Sequence, residues 1–268
     1  MCTNRIAGIL VAATLLAAGT PPLARAEVPT GTPEFSDPLD IDNEYNPFVP
    51  FRIKVYKLIK GEGEVYDIDV FRGETRKIHF DGENVECAIL EEWAIEDGEV
   101  VEISENYFAQ ADDGTAYYFG EIVNIYEGGE LVGHDGSWLV GGPTGSDPDE
   151  TATASGPAVF MPANPEVGDE WKSEDLPDEG IEEFNTAIAF HRTVRVPAGR
   201  FYDVLQVRGE TPDVENKWYA PDGGFILSKE SGEVLAMIDL EDNDDEDELE
   251  EELEEVLEEI LGDEEDDD

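Results

Sequence analysis

The densest cluster of side chains that could bind a ligand lies in residues 239–268, which contain 21 Asp or Glu and no Lys or Arg. Carboxylates in such numbers are typical ligands of divalent cations, above all Ca²⁺. An EF-hand loop beginning at Asp242 would require Gly at its sixth position and Glu at its twelfth, where this chain has Asp247 and Leu253. The sequence therefore predicts only weak, diffuse Ca²⁺ binding, in residues 263–268 and at four carboxylates: Asp242, Asp244, Glu246 and Glu248.

The three histidines, His79, His134 and His191, are far apart in the sequence, and none has a second histidine two or four positions away. A zinc site needs three or four ligands at suitable spacing, which these residues do not provide. The chain also lacks the G-x-S-x-G motif and the glycine-rich loops that hold phosphates or dinucleotides. Carboxylate pairs are too numerous to identify a glycosidase site. We therefore predict a protein without catalytic activity.

The first 26 residues have the features of a secretory signal peptide. Arg5 supplies the positive charge, residues 6–18 the apolar segment, and Ala24-Arg25-Ala26 the small-residue cleavage site. The apolar segment is too short to span a bilayer well, and no other stretch is comparably apolar. The sequence thus predicts an exported protein, periplasmic or extracellular, with no transmembrane segment after cleavage and with Cys87 as its remaining cysteine.

The acidic excess extends well beyond the C-terminal segment. The whole chain has 67 Asp or Glu against 16 Lys or Arg, a formal net charge of −51. Such a surface repels itself unless salt screens it. It also repels nucleic acid and anionic membranes, so neither is expected as a partner. Two interpretations remain: adaptation to a saline medium, which we favour, or a surface that collects divalent cations or basic partners.

Residues 51–240 are predicted to form one β-sheet domain, preceded by an extended lead-in at 27–50 that is rich in Pro, Thr, Asp and Asn. Apolar and polar residues alternate in runs such as "VYDIDVF" and "VEISENYFA". Asp-Gly and Gly-Gly dipeptides suited to hairpin turns separate the runs, at 81–82, 97–98, 113–114 and 128–129. The fold class predicted is mainly β: an antiparallel meander that forms a curved sheet or half-barrel.

Three details of this domain are open to test. Residues 141–157, which are small and polar, are predicted to be a loop insertion, and a short helix is predicted near 180–184. Glu121 is either a buried, paired carboxylate or an outward-facing strand residue. We favour the outward orientation, because charged strand residues usually face water.

Residues 241–268 form the predicted acidic tail, with an amphipathic helix at about 246–261. Six apolar residues fall at helical spacing on one face: Leu249, Leu253, Val256, Leu257, Ile260 and Leu261. The opposite face is glutamate, and each like-charged pair four residues apart costs roughly 0.2–0.5 kcal/mol. We expect a poor helix in isolation, which forms when protons, cations or an apolar surface offset the repulsion. The apolar stripe is accordingly predicted to dock on an apolar or basic partner protein, or on a second copy of the chain.

Several stretches of the β region resemble an uncharacterised family of exported bacterial β-rich proteins. In order, they are "YFAQADDGTAYYFGE", a Gly-Ser-Trp one hairpin later, "VPAGRF" and "KWYAPDGG". The resemblance covers roughly Tyr45 to Ile238. It departs from the family at Asp222, where glycine is usual, and in the long loop after Gly141. It implies a half-barrel similar to that of lipoprotein carriers, and it supplies no catalytic residues.

Three functional hypotheses follow from the sequence. The first is an exported, non-catalytic binding or envelope-associated module, with weak cation or partner binding through its acidic tail. The second is a periplasmic carrier that holds a lipid-like or small apolar ligand in the concave face of the sheet. The third is a hydrolase of unrecognised type, which would require a cleft where carboxylates converge with His134 or His191.

Overall fold

The computed structural model describes residues 28–29, 31–211 and 213–262. The predicted signal peptide and the acidic residues 263–268 lie outside the described residues. The elements formed by the described residues are β1 Arg52–Lys60, β2 Val65–Phe80, β3 Glu83–Glu96, β4 Glu99–Gln110, β5 Ala116–Glu127, β6 Glu130–Gly133, β7 Trp138–Val140, β8 Ala152–Ala154, β9 Ala158–Met161, β10 Glu170–Leu176, β11 Ile181–Val196, β12 Gly199–Glu210, β13 Val214–Ala220, β14 Gly224–Glu230, β15 Glu233–Asp242 and α1 Glu246–Leu261.

All these strands belong to one sheet, built from two meanders that meet in its middle. Strands β1–β5 follow one another in spatial order, and so do β10–β15. The last strand pairs antiparallel with the first, which places Lys54 opposite Leu240. Among the described strands only β7 and β8 pair in parallel. The predicted mainly β fold, an antiparallel meander in a curved sheet with a C-terminal helix, is confirmed.

The predicted Asp-Gly turns connect neighbouring strands. Asp81 and Gly82 both have positive φ (49° and 86°), as do Asp97 and Gly98 (50° and 81°), which suits type I′ hairpin turns. Asp tolerates this left-handed backbone better than most residues because its short polar side chain can hydrogen-bond locally. The two turns set the register of β2 with β3 and of β3 with β4.

The sheet curls until it nearly closes on itself. Its ends approach at β9 and β10: β9 pairs with β5, and the indole Nε1 of Trp171 in β10 donates a hydrogen bond to the carbonyl oxygen of Phe160 in β9 (3.1 Å). On β5, Gly120 permits a close crossing, because a Cβ there would lie 2.1 Å from the carbonyl oxygen of Trp138. The resulting barrel has an interior bounded by both meanders.

Two local predictions need correction. The segment near 180–184 is not a helix, because Leu176 pairs with Ile181 across a tight turn in which Gly180 has a φ of 77°. Pairing with β10 overrides the local preference of this acidic segment. The predicted loop at 141–157 contains β8, and an ion pair of 2.5 Å between Arg76 and Asp147 holds it to β2.

The C-terminal helix has defined ends. The Asp245 side chain accepts a hydrogen bond from the backbone N–H of Glu248 (3.1 Å), and the Glu248 carboxylate accepts one from the backbone N–H of Asp244 (3.1 Å). This reciprocal arrangement caps the first turn. Gly262, with a φ of 79°, ends the helix.

The helix packs on the outer face of β1 and β2. Alternation along β1 turns Ile53 and Val55 outward to the helix, while Lys54 faces the barrel interior. Leu249 and Leu253 are fully buried against this outer face. Both faces of β1 are therefore covered, one by the helix and one by the interior. Among the described residues, no helix has the length and apolarity needed to cross a membrane.

Candidate functional site

A cavity of about 280 Å³ lies inside the curved sheet, with walls from both meanders. Ligand pockets in proteins usually occupy roughly 300–1,000 Å³, so this volume suits a small ligand. Seven aromatic rings contribute to the wall, among them Phe71, Phe108 and Tyr219. The ionisable side chains that line the cavity are Lys54, Asp69, Glu92, Glu121, Glu174, Glu183 and Lys217. A wall of this kind offers both flat apolar surfaces and charged groups.

The lead-in supplies part of the cavity wall through residues 46–48. Asn43, which is buried, anchors it: its backbone N–H donates to the Gln110 side-chain oxygen (2.8 Å), and its side-chain Nδ2 donates to the Gly114 carbonyl (2.9 Å). The described residues of the lead-in form no helix or strand, yet they are part of the folded domain. No pattern in its sequence indicates that it borders a cavity.

Lys54 is the most unusual group in the wall. Only 3% of the residue is exposed, yet its ammonium group has no hydrogen-bond or ion-pair partner among the described residues. Its Nζ lies 4.7 Å from the centroid of the Phe71 ring, a cation–π contact. Burial lowers the pKa of Lys54 to about 8. A buried ammonium group without a partner is costly, so its retention calls for an explanation.

Asp69 and Glu92 form a carboxyl pair beside Lys54. The strand register places Lys54, Asp69 and Glu92 in one row across β1, β2 and β3. The Tyr56 hydroxyl donates to Asp69 Oδ2 (2.9 Å). Burial, together with repulsion from Asp69, raises the pKa of Glu92 well above its usual value. The two buried carboxyl groups are therefore placed to share one proton.

Glu121 faces the interior, so the favoured outward orientation was wrong. It pairs in register with Asn106, and both side chains line the cavity. Burial, followed by repulsion from Glu174, raises the pKa of Glu121 to about 8. Asn106 donates in turn to Glu92 (2.6 Å) and accepts a hydrogen bond from the Tyr118 hydroxyl. The expectation failed because this strand places a carboxyl group on the face that lines the cavity, between aromatic and polar neighbours.

The opposite wall holds a second lysine in a different setting. Lys217 Nζ donates to Glu183 (2.8 Å) and lies 3.5 Å from Glu215. The other Glu183 oxygen accepts from the Ser173 hydroxyl (2.6 Å), and Asn185 donates to that hydroxyl (2.7 Å). Although burial acts in the other direction, the Lys217 ammonium holds the pKa of Glu183 below its usual value. Both members of this pair are satisfied within the chain.

A smaller space of about 210 Å³, here called the acidic chamber, adjoins the cavity. Its lining includes five carboxyl groups, of Asp67, Asp69, Glu92, Glu102 and Glu121, and no Lys or Arg. It shares Asp69, Glu92 and Glu121 with the cavity, so the two spaces lie on either side of these residues. Burial, followed by repulsion from Asp69, raises the pKa of Asp67 to about 7, and burial raises that of Glu102.

The four predicted metal ligands lie where the tail meets the sheet. Asp242 forms a bidentate ion pair with Arg52 (2.6 and 3.0 Å), and Glu246 pairs with Arg72 (3.2 Å). Glu248 caps the helix, as described above, and Asp244 precedes it. Within the described part of the chain, no three His, Cys, Asp or Glu are grouped so as to hold a metal ion. Weak cation binding by this segment stays a prediction.

The apolar stripe packs on the chain's own sheet rather than presenting itself to a partner. Leu249 and Leu253 are buried there, Val256, Leu257 and Ile260 pack at the edge of the same cluster, and Leu261 is exposed. Arg72 pairs with both Glu246 and Glu250, which reduces the repulsion on the glutamate face. The surface that offsets this repulsion is thus intramolecular, and docking on another protein stays a prediction.

The histidines stay apart from the cavity. His134 forms a hydrogen bond to the Val123 carbonyl through Nδ1 (2.8 Å), and His191 forms one to Gln206 through Nε2 (2.6 Å). His79, on β2, is exposed. None of the three lines the cavity or the acidic chamber. The carboxylates therefore converge without the histidine that the hydrolase hypothesis requires.

Known proteins offer one weak structural likeness to this chain. No protein-family description matches the chain, and no curated protein matches it. One solved structure is similar in part: the crystal structure of a "putative lipoprotein" from Parabacteroides distasonis ATCC 8503, with 15% identity and a TM-score of 0.31. The match covers 74% of this chain and 99% of the other. A TM-score this low supports no conclusion about shared fold or function.

Proposed function

We propose that the chain is an exported, envelope-located binding protein that carries a small ligand inside its half-barrel and catalyses no reaction. The observation that carries the proposal is Lys54, a buried ammonium group that borders a cavity and has no partner among the described residues. An unpaired buried charge lowers stability, whereas a ligand group that accepts its hydrogen bonds would remove the cost.

The wall chemistry also restricts the ligand. Aromatic rings suit an apolar or planar part of a small molecule, but a wholly apolar ligand would leave the buried Lys54 ammonium group without a partner. The lipid-like ligand of the sequence-based carrier hypothesis is therefore less suitable than a small molecule that has polar as well as apolar parts. The export signal predicted for residues 1–26 supports a location in the envelope.

The experiment is a thermal-shift screen of the full chain with four classes of small molecule: amino acids, amines, carboxylic acids and neutral sugars. We expect at least one class to raise the Tm in a saturable way, because ligand binding stabilises the folded state. The Lys54→Met variant should lose this shift. Lys77→Met, which changes an exposed lysine on β2, should keep it. The proposal fails if no class shifts the Tm, or if the shift persists in Lys54→Met.

A further inference from the structure

We propose that the cavity and the acidic chamber together bind a small organic zwitterion, whose ammonium group lies in the chamber and whose anionic group contacts Lys54. This inference rests on the ligand-binding function proposed above and specifies the ligand class. Its basis is that two adjoining spaces carry opposite charge. Lys54 in the cavity has no anionic partner within ion-pair distance among the described residues, and the lining of the acidic chamber has five carboxyl groups and no Lys or Arg.

The anionic end of the ligand is defined by Lys54. The residue is 97% buried and lines the cavity, and no carboxylate of the described residues lies within ion-pair distance of it. The Phe71 ring centroid lies 4.7 Å from the ammonium nitrogen, and none of the nitrogen's three N–H donors forms a hydrogen bond with the described residues. A carboxylate, sulfonate or phosphate oxygen would accept charge-assisted hydrogen bonds there.

The cationic end is defined by the acidic chamber. Five carboxyl groups from β2, β3, β4 and β5 line it without a single lysine or arginine. Tyr56 and Phe225 add aromatic surface, with ring centroids 5.1 Å apart. Carboxylates together with aromatic rings are the usual surroundings of bound organic ammonium groups.

An acidic cleft at the surface adjoins the chamber. It is bordered by the turns at one end of the barrel and shares Asp67 with the chamber. The other carboxyl groups that line it belong to Glu62, Glu64, Glu96, Asp97, Glu215, Glu230 and Glu233, and its lining contains no Lys or Arg. A cleft of one sign concentrates ligands of the opposite sign at its mouth. The ammonium end would therefore enter first.

The protonation of the empty chamber supports the same conclusion. Burial raises the pKa of Asp67 to about 7 and that of Glu121 to about 8, so both carry protons part of the time at neutral pH. An ammonium group would displace those protons. Charged or titratable groups face this space from both meanders. The first meander contributes Lys54, Tyr56, Asp67, Asp69, Glu92, Glu102, Tyr118 and Glu121, and the second contributes Glu174, Glu183, Glu215, Lys217 and Tyr219.

Ligands of one charge fit less well. A simple amine would leave Lys54 unpaired, and its charge would add to that of the ammonium group. A simple carboxylate would place a further negative charge beside Asp69 and Glu92. A metal ion would need grouped ligands, which the described carboxyl groups do not provide. A zwitterion satisfies both ends at once.

Calorimetric titration of the full chain tests the proposal with matched probes of three sizes. These are alanine, leucine and phenylalanine, each beside the amine and the carboxylic acid that lack the opposite charge. We expect at least one amino acid to bind at least about 10-fold more tightly than either matched compound. At pH 7 its binding should release protons, seen as a heat that differs between phosphate and Tris buffers.

Two variants locate the two ends. Lys54→Met should weaken amino-acid binding by about 10-fold or more while the matched amine loses nothing. Glu121→Gln should reduce the number of protons released, whereas Glu127→Gln, an exposed position on the same strand, should leave it unchanged. The variants' Tm values show whether each still folds.

The outcomes separate this proposal from the broader one. If the amine or the acid binds as tightly as its amino acid, or if no amino acid binds while a neutral sugar does so in a Lys54-dependent way, the zwitterion is excluded and the ligand-binding function stands. If no class of compound binds, both proposals are overturned. Ca²⁺ that competes with the amino acid at millimolar concentration would instead assign the chamber to metal ions.

Discussion

The two walls of the cavity each carry a lysine among carboxylates, but only one of the two lysines, Lys217, forms ion pairs with them. Lys217 is held by Glu183 and Glu215, and the Ser173 hydroxyl satisfies the remaining oxygen of Glu183. Lys54 lies in register beside Asp69 and near the Phe71 ring, but no hydrogen bond or ion pair joins it to any of the described residues. Lys217 is the more exposed of the two, with a side chain that is 24% accessible, whereas Lys54 is buried. The more deeply buried charge is thus the one without a partner.

This difference indicates that the walls have different roles. A network in which each polar group is satisfied adds stability and defines one conformation. A buried charge without a partner does the reverse, and it persists when something outside the chain compensates for it. We therefore interpret the wall with Lys217 as structural and the wall with Lys54 as the ligand-binding surface.

The largest expected effect comes from breaking the satisfied wall. Lys217→Met should lower the free energy of unfolding by about 3–4 kcal/mol, because Glu183 would be left as an unpaired charge in a half-buried site. Urea unfolding at pH 7 measures this, with the exposed Lys77→Met as a control that should change stability by less than about 0.5 kcal/mol. A loss below about 1 kcal/mol would show that the two walls do not differ in this way.

The same substitution on the other wall should have the opposite sign. Lys54→Met is expected to raise the free energy of unfolding of the empty protein by about 2–3 kcal/mol at pH 7, since burial lowers the pKa of Lys54 from 10.5 to about 8. Below pH 8 the lysine is charged in both the folded and the unfolded state, so the full cost applies. Between pH 8 and 10.5 the folded protein loses the proton first, and the cost disappears.

Unfolding of both proteins from pH 6 to pH 11 checks this prediction. The difference in unfolding free energy should be constant up to about pH 8 and should shrink as the pH approaches 10.5. A destabilised Lys54→Met variant would mean that Lys54 has a compensating partner in solution. The contrast between the walls would then be lost.

A third, smaller effect tests what lies behind the Lys54 wall. Leu253 in the helix is 4% exposed and packs on the outer face of β1 and β2. Leu253→Ala should lower the free energy of unfolding by about 2 kcal/mol, the low end for a buried leucine because the helix lies at the surface. Leu261→Ala, at a position that is 38% exposed, is the matched control. Equal effects of the two would show that the helix does not pack on the sheet in solution.

Part of this arrangement was predictable because it depends on local sequence. The spacing of Leu249 and Leu253 predicts the helical stripe, and the Asp81-Gly82 dipeptide predicts a hairpin turn, since helix periodicity and left-handed turn backbone are set by a few neighbouring residues. Alternation of Ile53, Lys54 and Val55 likewise predicts one apolar and one polar face for β1.

What alternation does not determine is which face points inward. Here the helix covers the apolar face of β1 from outside, so the polar face with Lys54 lines the interior. Glu121 of β5 also lies on a strand face that lines the interior, which is why the outward orientation expected from the sequence was wrong. The pairing of β15 with β1 brings together residues such as Arg52 and Asp242, which are 190 positions apart, and no local pattern specifies such a contact.

The smallest expected effect concerns the exposed carboxylates of the tail, the counterpart of the buried ones in the acidic chamber. Asp242 and Glu246 already pair with Arg52 and Arg72, so Ca²⁺ would have to displace an arginine to bind them. We expect millimolar Ca²⁺ to stabilise the full chain by no more than about 0.5 kcal/mol beyond NaCl of equal ionic strength, since screening alone relieves the repulsion on the glutamate face. Melting curves in the two salts measure the difference.

A saturable Ca²⁺ effect that Asp244→Asn removes would show instead a specific cation site, and the tail rather than the cavity would become the first candidate for function.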